Sequence, residues 1–133
     1  MIVADTNLIA YFSIYTDHST LAEAVCAVDS IWTAPLLWRS EYRATLMKYI
    51  NHAGMNFETA ISSLRVAEEV IAGREYTVDA RKVLELAMQS KCSAYDCEYV
   101  ALAMDLGVPL VTADKQILRA FPKIAVSLEK FVK

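Results

Sequence analysis

Four acidic residues lie at positions where the apolar pattern of the chain predicts buried hydrophobic side chains. They are Asp5, Glu41, Asp96 and Asp114, and each lies within or beside an apolar stretch. A carboxylate in such surroundings is unstable unless a proton or a positive charge compensates it. If the fold brings the four together, their mutual repulsion amounts to on the order of 15 kcal/mol at an effective dielectric of 20. Because a small domain is stable by only roughly 5–15 kcal/mol, such a site must hold protons or divalent cations.

The remaining side chains limit which cation that would be. The chain has two histidines, His18 and His52, and three cysteines without CxxC spacing, so no His/Cys zinc set can be assembled. Carboxylate oxygens alone select hard ions, Mg²⁺ or Mn²⁺. These ions retain water and accept phosphate oxygens, so the four acids predict phosphoryl chemistry.

Each aspartate also has a purely structural explanation. Asp5 and Asp114 stand where they could cap the helices that follow them. Asp96 completes a capping box with Ser93, three residues earlier. Taken singly, none of the three aspartates indicates a functional site.

Glu41 is harder to explain structurally, because it lies inside a helical pattern. One turn away on either side stand Leu37 and Thr45, and neither offers a positive charge for an ion pair. With no structural partner, Glu41→Gln is expected to relieve repulsion and to raise the stability of the metal-free protein.

The apolar patterns and capping signals predict strands that alternate with helices. Strands are expected at residues 1–4, 31–34, 108–111 and 124–126. Helices are expected from Asp17 or Thr20 onward, from Pro35 to about residue 51, and at residues 56–73, 77–90, 94–106, 114–120 and 128–133. The two helices between residues 53 and 90 arrive without a strand, which predicts a helical hairpin that projects from the sheet as a partner surface.

This alternation is typical of an α/β fold with a short central parallel sheet covered on both faces. With only three glycines and three prolines, linkers are short, and residues 1–133 are expected to form a single domain. In such folds ligands bind beyond the carboxyl ends of the strands, where the strand order reverses. Each of the four acids follows a predicted strand or lies on a helix adjoining one, so all four can reach one crevice.

Composition adds expectations about partners and compartment. The net charge of −3 becomes −3 + 4 = +1 if metal neutralises the four acids, so charge neither favours nor excludes a nucleic-acid partner. A hydrophobic content of 56% favours an oligomer interface or, alternatively, a large core. The longest uncharged run has 11 residues, too few for a membrane span, and no secretory signal opens the chain. A cytoplasmic protein with reduced thiols is expected.

In their order along the chain, the short motifs around the acids resemble one known family. The motifs are Asp5-Thr6-Asn7 after the first strand, Ser40-Glu41, Tyr95-Asp96 and Thr112-Ala113-Asp114, and the most telling stretch is SAYDCEYVALAMDLGVPLVTAD at residues 93–114. This arrangement resembles PIN-domain nucleases over the whole chain, and especially VapC-type toxins of toxin–antitoxin pairs. Each motif is weak alone, and the four in this order are specific.

The resemblance implies a PIN-like three-layer α/β/α sandwich and a Mg²⁺- or Mn²⁺-dependent endoribonuclease. Metal-activated water would cleave single-stranded or loop RNA. Asp5 and Asp96 would be the principal metal ligands, Glu41 would complete the site directly or through water, and Asp114 would hold a water or a second ion. The family also implies a homodimer or higher oligomer and a small antitoxin that covers the site.

Other residues receive supporting roles. The resemblance implies that Thr6, Asn7 and Thr112 supply hydrogen bonds to the site. Two basic pairs at i,i+4 spacing are candidate phosphate contacts, although a solvated helix face explains them equally well: Lys115 with Arg119, and Arg39 with Arg43.

Four other functions are alternatives to a toxin nuclease. An aspartate-nucleophile phosphatase requires a second acid two residues after the first, where this chain has Asn7. A phosphoacceptor receiver domain requires adjacent acids after the first strand, and Ala4-Asp5 supplies only one. The remaining alternatives are a PIN-fold interaction protein without activity and a housekeeping nuclease without an antitoxin.

Overall fold

The computed structural model describes residues 1–133 and has a sheet of five parallel strands at its centre. The strands are β1 (Ile2–Ala4), β2 (Trp32–Pro35), β3 (Glu75–Tyr76), β4 (Leu110–Val111) and β5 (Ala125–Val126). Their spatial order is β3-β2-β1-β4-β5. Val3 of β1 is paired with Thr33 on one side and Leu110 on the other, so β1 is the central strand.

Helices cover both faces of this sheet. They are α1 (Thr6–Ser13), α2 (Ser19–Val28), α3 (Trp38–His52), α4 (Phe57–Ile71), α5 (Ala80–Ser90), α6 (Ala94–Leu106), α7 (Lys115–Ala120) and α8 (Leu128–Phe131). Helices α1 to α4 pack together on one side, whereas α6 lies against β1, β2 and β4 with α5 packed on it. The predicted three-layer α/β/α sandwich with a short parallel sheet is therefore confirmed.

The central strands form because they are buried on both faces. Every residue of β1, β2 and β4 is buried, which is why these strands do not alternate between apolar and polar residues. The one polar side chain among them, Thr33, donates its hydroxyl to the carbonyl of Ile2. The indoles of Trp32 and Trp38 are fully buried beside them. None of the helices combines the length and the hydropathy needed to span a membrane.

Pro35 does not open a helix, contrary to the sequence prediction. It is the last residue of β2, and α3 begins at Trp38. The backbone N–H groups of Ala34 and Leu36, on either side of it, donate to β3. The nitrogen of Pro35 therefore faces the β1 side of the strand. The pairing of β1 with β2 ends at Thr33, so no backbone donor is needed at Pro35.

The predicted strandless helical hairpin is also wrong. Strand β3 separates α4 from α5, and the two helices belong to opposite layers. This strand has only two residues and pairs on one side only, so it has too little apolar pattern to be detected in the sequence. Asp79 rather than Thr77 caps α5, through a hydrogen bond from the Lys82 N–H.

Two further differences concern the first helices. Helix α1 begins at Thr6 and is capped by Asp5, the structural role considered for this residue, although the predicted helices begin only at Asp17 or Thr20. Helix α2, expected from Asp17 or Thr20 onward, begins between these two residues, at Ser19. The Ser19 hydroxyl is engaged with the preceding turn, where it donates to the carbonyl of Ile14 and accepts from the N–H of Thr16.

The ends of α6 follow the sequence prediction. The Ser93 hydroxyl accepts the backbone N–H of Asp96 at 3.0 Å, and Gly107 ends the helix in a left-handed conformation with φ 66°. Asp96 is therefore fixed in the first turn of α6. The preceding helix α5 ends in the same way but without glycine, because Lys91 adopts φ 63° there.

Lys91 offers a test of this junction. Lys91→Gly should stabilise the protein by about 0.5–1 kcal/mol, because an L side chain in the left-handed region is strained and the Lys91 side chain is exposed. Gly107→Ala, at the equivalent end of α6, should destabilise by a similar amount. Urea unfolding of both variants measures the effect, and a Lys91→Gly variant less stable than wild type would contradict the expectation.

Candidate functional site

The carboxyl ends of the central strands bring the four acids to one place. Asp5 directly follows β1, and Asp114 follows β4 by three residues. The strand order reverses between β1 and β4, which is where open parallel sheets form their crevice. Glu41 and Asp96 reach the same crevice from the first turns of α3 and α6. All four line a single cavity of about 360 Å³, so the predicted convergence is present.

Asp5 is the most buried of the four, with 7% of its surface exposed. Its Oδ2 accepts a 2.6 Å hydrogen bond from the Thr112 hydroxyl, and its Oδ1 accepts the Thr6 N–H at 2.8 Å. Burial raises the pKa of Asp5, the charges of Glu41 and Asp96 add to the shift and these hydrogen bonds oppose it, so that the pKa lies at about 7. No basic side chain forms an ion pair with Asp5.

Asn7 and Thr112 connect Asp5 to the segment after β4. The Asn7 amide donates to Asp5 Oδ2 at 3.3 Å, and its carbonyl oxygen accepts the Ala113 N–H at 3.1 Å. The Thr112 hydroxyl, which donates to Asp5, accepts the Asp114 N–H at 3.0 Å. The two side chains thereby hold the ends of β1 and β4 in register and orient the Asp5 carboxylate.

Glu41 has the structural partners that the sequence did not reveal. Its Oε1 accepts hydrogen bonds from the Tyr99 phenol at 2.7 Å and from the Thr6 hydroxyl at 3.0 Å. Tyr99 and Thr6 also contact each other, and both are buried. The premise that Glu41→Gln would remove repulsion and little else is wrong, since charge-assisted hydrogen bonds would weaken at the same time.

Asp96 and Asp114 combine a structural role with their place in the cavity. Burial raises the pKa of Asp96, the nearby charge of Asp114 raises it further, and a hydrogen bond with Ser93 partly offsets the shift. Asp114 caps α7, since its Oδ1 accepts the N–H groups of Gln116 and Ile117 at 2.8 and 3.0 Å. Capping and cavity lining are therefore compatible, and the structural explanation does not remove these acids from the site.

The donor set suits a hard divalent ion held by few carboxylates. No three His, Cys, Asp or Glu side chains of the chain are grouped closely enough to hold one ion between them. Mg²⁺ commonly binds through one or two carboxylates and keeps several waters for the remaining positions. A buried, unpaired Asp5 that shares its cavity with three more carboxylates fits such an ion, with water bridging to the more distant acids.

None of the four predicted phosphate contacts lines the cavity. Arg39 is engaged elsewhere, because its guanidinium pairs with Glu68 at 3.0 Å and with Glu75 at 2.7 Å. Arg43 donates to the carbonyl of Arg39, while Lys115 and Arg119 are exposed on α7. The two predicted basic pairs therefore lie outside the cavity lining, and their contact with phosphate stays a prediction.

Sequence reasoning missed the outer part of the cavity. Lys48 is the only basic residue in its lining, and Tyr11 and Tyr49 lie beside it. A signal was available, because Lys48 and Tyr49 follow Glu41 by seven and eight residues and so share its helix face. Tyr99 likewise follows Asp96 by three residues on α6, which puts both side chains on neighbouring positions of one face.

Asp5 gives stability a specific pH dependence. Its pKa rises from 3.8 unfolded to about 7 folded, so the folded state binds the extra proton. The stabilisation is complete below about pH 4 and is lost as the pH rises through about 7. In EDTA, the free energy of unfolding of wild type should fall by on the order of 3–4 kcal/mol relative to that of Asp5→Asn as the pH rises across this range.

Urea unfolding at a series of pH values measures that difference. Asp105→Asn is the matched control, because Asp105 is an exposed aspartate paired with Lys82 outside the cavity. Added Mg²⁺ should restore part of the loss at alkaline pH, since an ion bound only to the native state stabilises it. A constant difference between wild type and Asp5→Asn at all pH values would refute the shifted pKa.

Comparison with known proteins supports the fold. No protein-family model matches the chain, and no curated protein matches its sequence. Among solved structures, the chain is similar to the crystal structure of PAE2754 from Pyrobaculum aerophilum, with a TM-score of 0.78 and 18% sequence identity. The similarity covers 98% of this chain and 85% of that one. At this identity the likeness establishes a common architecture, and the chemistry of the cavity has to be argued from its own residues.

Proposed function

We propose that this protein is a divalent-metal-dependent endoribonuclease of the PIN-domain type, acting as the toxin of a toxin–antitoxin pair. The observation that carries the proposal is the state of Asp5. It is a buried carboxylate without a basic partner, surrounded by three further acids at the sheet crevice. Such a concentration of negative charge is accommodated by protons or by a cation, and a divalent cation is the occupant that would give it a catalytic function.

The four acids would contribute in different ways to binding Mg²⁺ or Mn²⁺. Asp5 is the best oriented ligand, because Thr112, Asn7 and the Thr6 N–H leave it little freedom. Glu41 has one oxygen fixed by hydroxyl donors, so its other oxygen is available to the cavity. Asp96 and Asp114 line the same cavity and would reach the ion through water, because no three acids are grouped closely enough to hold it directly. The chemistry supplied by such an ion is activation of water for attack on phosphorus and neutralisation of phosphate charge.

The surroundings of Asp5 argue against the two phosphotransfer alternatives. Asn7 stands where a phosphatase of the aspartate-nucleophile type would need an acid, and its amide is held by Asp5 and Ala113. An amide in this position cannot protonate a leaving group. A receiver domain would need a second acid next to Asp5, and the preceding residue is Ala4, at the end of β1.

The proposed partners are RNA, a second copy of the chain and a small antitoxin. Two exposed apolar residues of α5, Leu84 and Met88, support self-association, because they lie one turn apart on that helix. Leu84 also lines a groove of about 410 Å³ together with Leu36 and Val78. The proposed location is cytoplasmic. All three cysteines are free, which suits a reducing compartment.

Cleavage of RNA tests the enzymatic proposal. The purified protein should cleave single-stranded RNA with Mg²⁺ or Mn²⁺ and lose that activity in excess EDTA. Asp5→Asn and Asp96→Asn should each lower the rate by more than the roughly 10–100-fold caused by loss of an outer-sphere partner. Asp105→Asn removes the same charge from α6 outside the cavity and should leave the rate unchanged. Full activity in EDTA would overturn the metal mechanism, and no activity with any divalent ion would favour a non-enzymatic interaction protein.

Self-association has a separate test. Light scattering at high micromolar concentration should give the mass of two or more chains. Leu84→Glu combined with Met88→Glu should give a monomer, because both introduced charges would be desolvated at the interface. Val28→Glu, at another exposed apolar residue, is the control and should not change the mass. A wild-type monomer under these conditions contradicts the proposed dimer.

A further inference from the structure

The cavity has a second end that the four acids do not explain. Helix α3 contributes Glu41, Ala44, Thr45, Lys48 and Tyr49 to its lining, which are positions along one face of the helix. At 1.5 Å per residue, Lys48 lies about 10 Å along the axis from Glu41. The cavity therefore runs from an acidic end at the sheet to a different set of side chains two helical turns away.

Lys48 is the one positive charge in this lining. It is exposed and forms no ion pair, in contrast to Arg39 of the same helix, which pairs with Glu68 of α4 and Glu75 of β3. A free ammonium at the other end of a cavity lined by four acids is available to a ligand that brings its own negative charge. Its distance from Glu41 suits a phosphate next to the reacting one and not the reacting phosphate itself.

Aromatic rings adjoin this charge. Tyr11 and Tyr49 both line the cavity and are half-buried, and the ring of Tyr11 stacks on exposed His18 with centroids 4.3 Å apart and planes 28° from parallel. Burial raises the pKa of the Tyr11 phenol, and the neighbouring Tyr49 adds to the shift. Flat rings beside a free ammonium form the combination that binds unpaired bases and their phosphates.

We propose that Lys48, Tyr49 and the Tyr11–His18 stack form a subsite for the nucleotide that adjoins the cleaved phosphate of single-stranded RNA. The ammonium of Lys48 contacts the phosphate of this nucleotide, and its base stacks on the aromatic rings. This assignment rests on the proposed nuclease function and names the form of its substrate. Duplex RNA keeps its bases stacked inside the helix and cannot use the rings.

Binding measurements separate the two contacts. Fluorescence anisotropy in EDTA, where cleavage is blocked, follows a labelled single-stranded RNA and an abasic oligomer of the same length. Lys48→Ala should weaken the binding of both about ten-fold and reduce the slope of log K against log salt by about 0.7, the value for one phosphate contact to a single strand. Tyr49→Leu, which keeps apolar bulk, should weaken binding of the RNA about ten-fold and leave the abasic oligomer within two-fold.

Lys123→Ala is the matched control, because Lys123 is exposed and lies outside this cavity. It should leave affinity and salt slope as in wild type. If Lys48→Ala matches Lys123→Ala on both measures, or if duplex RNA binds as tightly as the single strand, the subsite is overturned. A wild type that cleaves RNA with metal while Lys48→Ala binds normally would overturn the subsite alone. A wild type that binds single-stranded RNA through Lys48 but never cleaves it would overturn the nuclease, and Lys48 and the rings would then be a binding site for single-stranded RNA without cleavage.

Discussion

The hydrogen bond between Thr112 and Asp5 is the interaction on which the candidate site depends. It spans 2.6 Å and joins the residues that follow the two adjacent central strands, β1 and β4. Because Asp5 is buried, its carboxylate can be accommodated only with such donors around it, and the Thr6 N–H and the Asn7 amide supply the others. The same bonds that make the buried acid tolerable also fix the direction in which it faces the cavity.

Hydroxyl donors, and not basic side chains, hold the acids in position. The Thr112 hydroxyl donates a hydrogen bond to Asp5, and the hydroxyls of Thr6 and Tyr99 donate to Glu41. Hydroxyls orient a carboxylate without neutralising it, so the negative charge of the cavity is preserved for a ligand. Ion pairs would have given orientation at the expense of that charge, and the ion pair between Arg39 and Glu75, at 2.7 Å, lies outside the cavity lining.

Helix termini explain how so small a fold carries four acids in one crevice. Asp5 and Asp114 precede helices, and Glu41 and Asp96 lie in first turns, where the helix dipole favours negative charge. A residue can therefore cap a helix and line the cavity at once. The long helix α3 then extends the cavity outward, from an acid at its start to a lysine and a tyrosine near its end.

The amino-acid sequence by itself determined the architecture and the identities of the four acids. Continuous apolar runs at β1, β2 and β4 and the caps at Asn56, Ser93 and Gly107 are local signals, which is why these elements were predictable. The acids were found because each breaks an apolar pattern, and the rule for parallel sheets then predicted where they meet.

Tertiary structure alone decided everything that depends on contacts between distant residues. Strand β3 exists only because β2 offers it a partner, and Tyr99 reaches Glu41 across 58 positions of the chain. Arg39 forms ion pairs with Glu68 and Glu75 outside the cavity, whereas Lys48 of the same helix lines the cavity. The spacing of residues along a helix fixes which side chains share a face. Which face meets the sheet, the cavity or another helix is set by packing, and that determined which basic residue adjoins the acids.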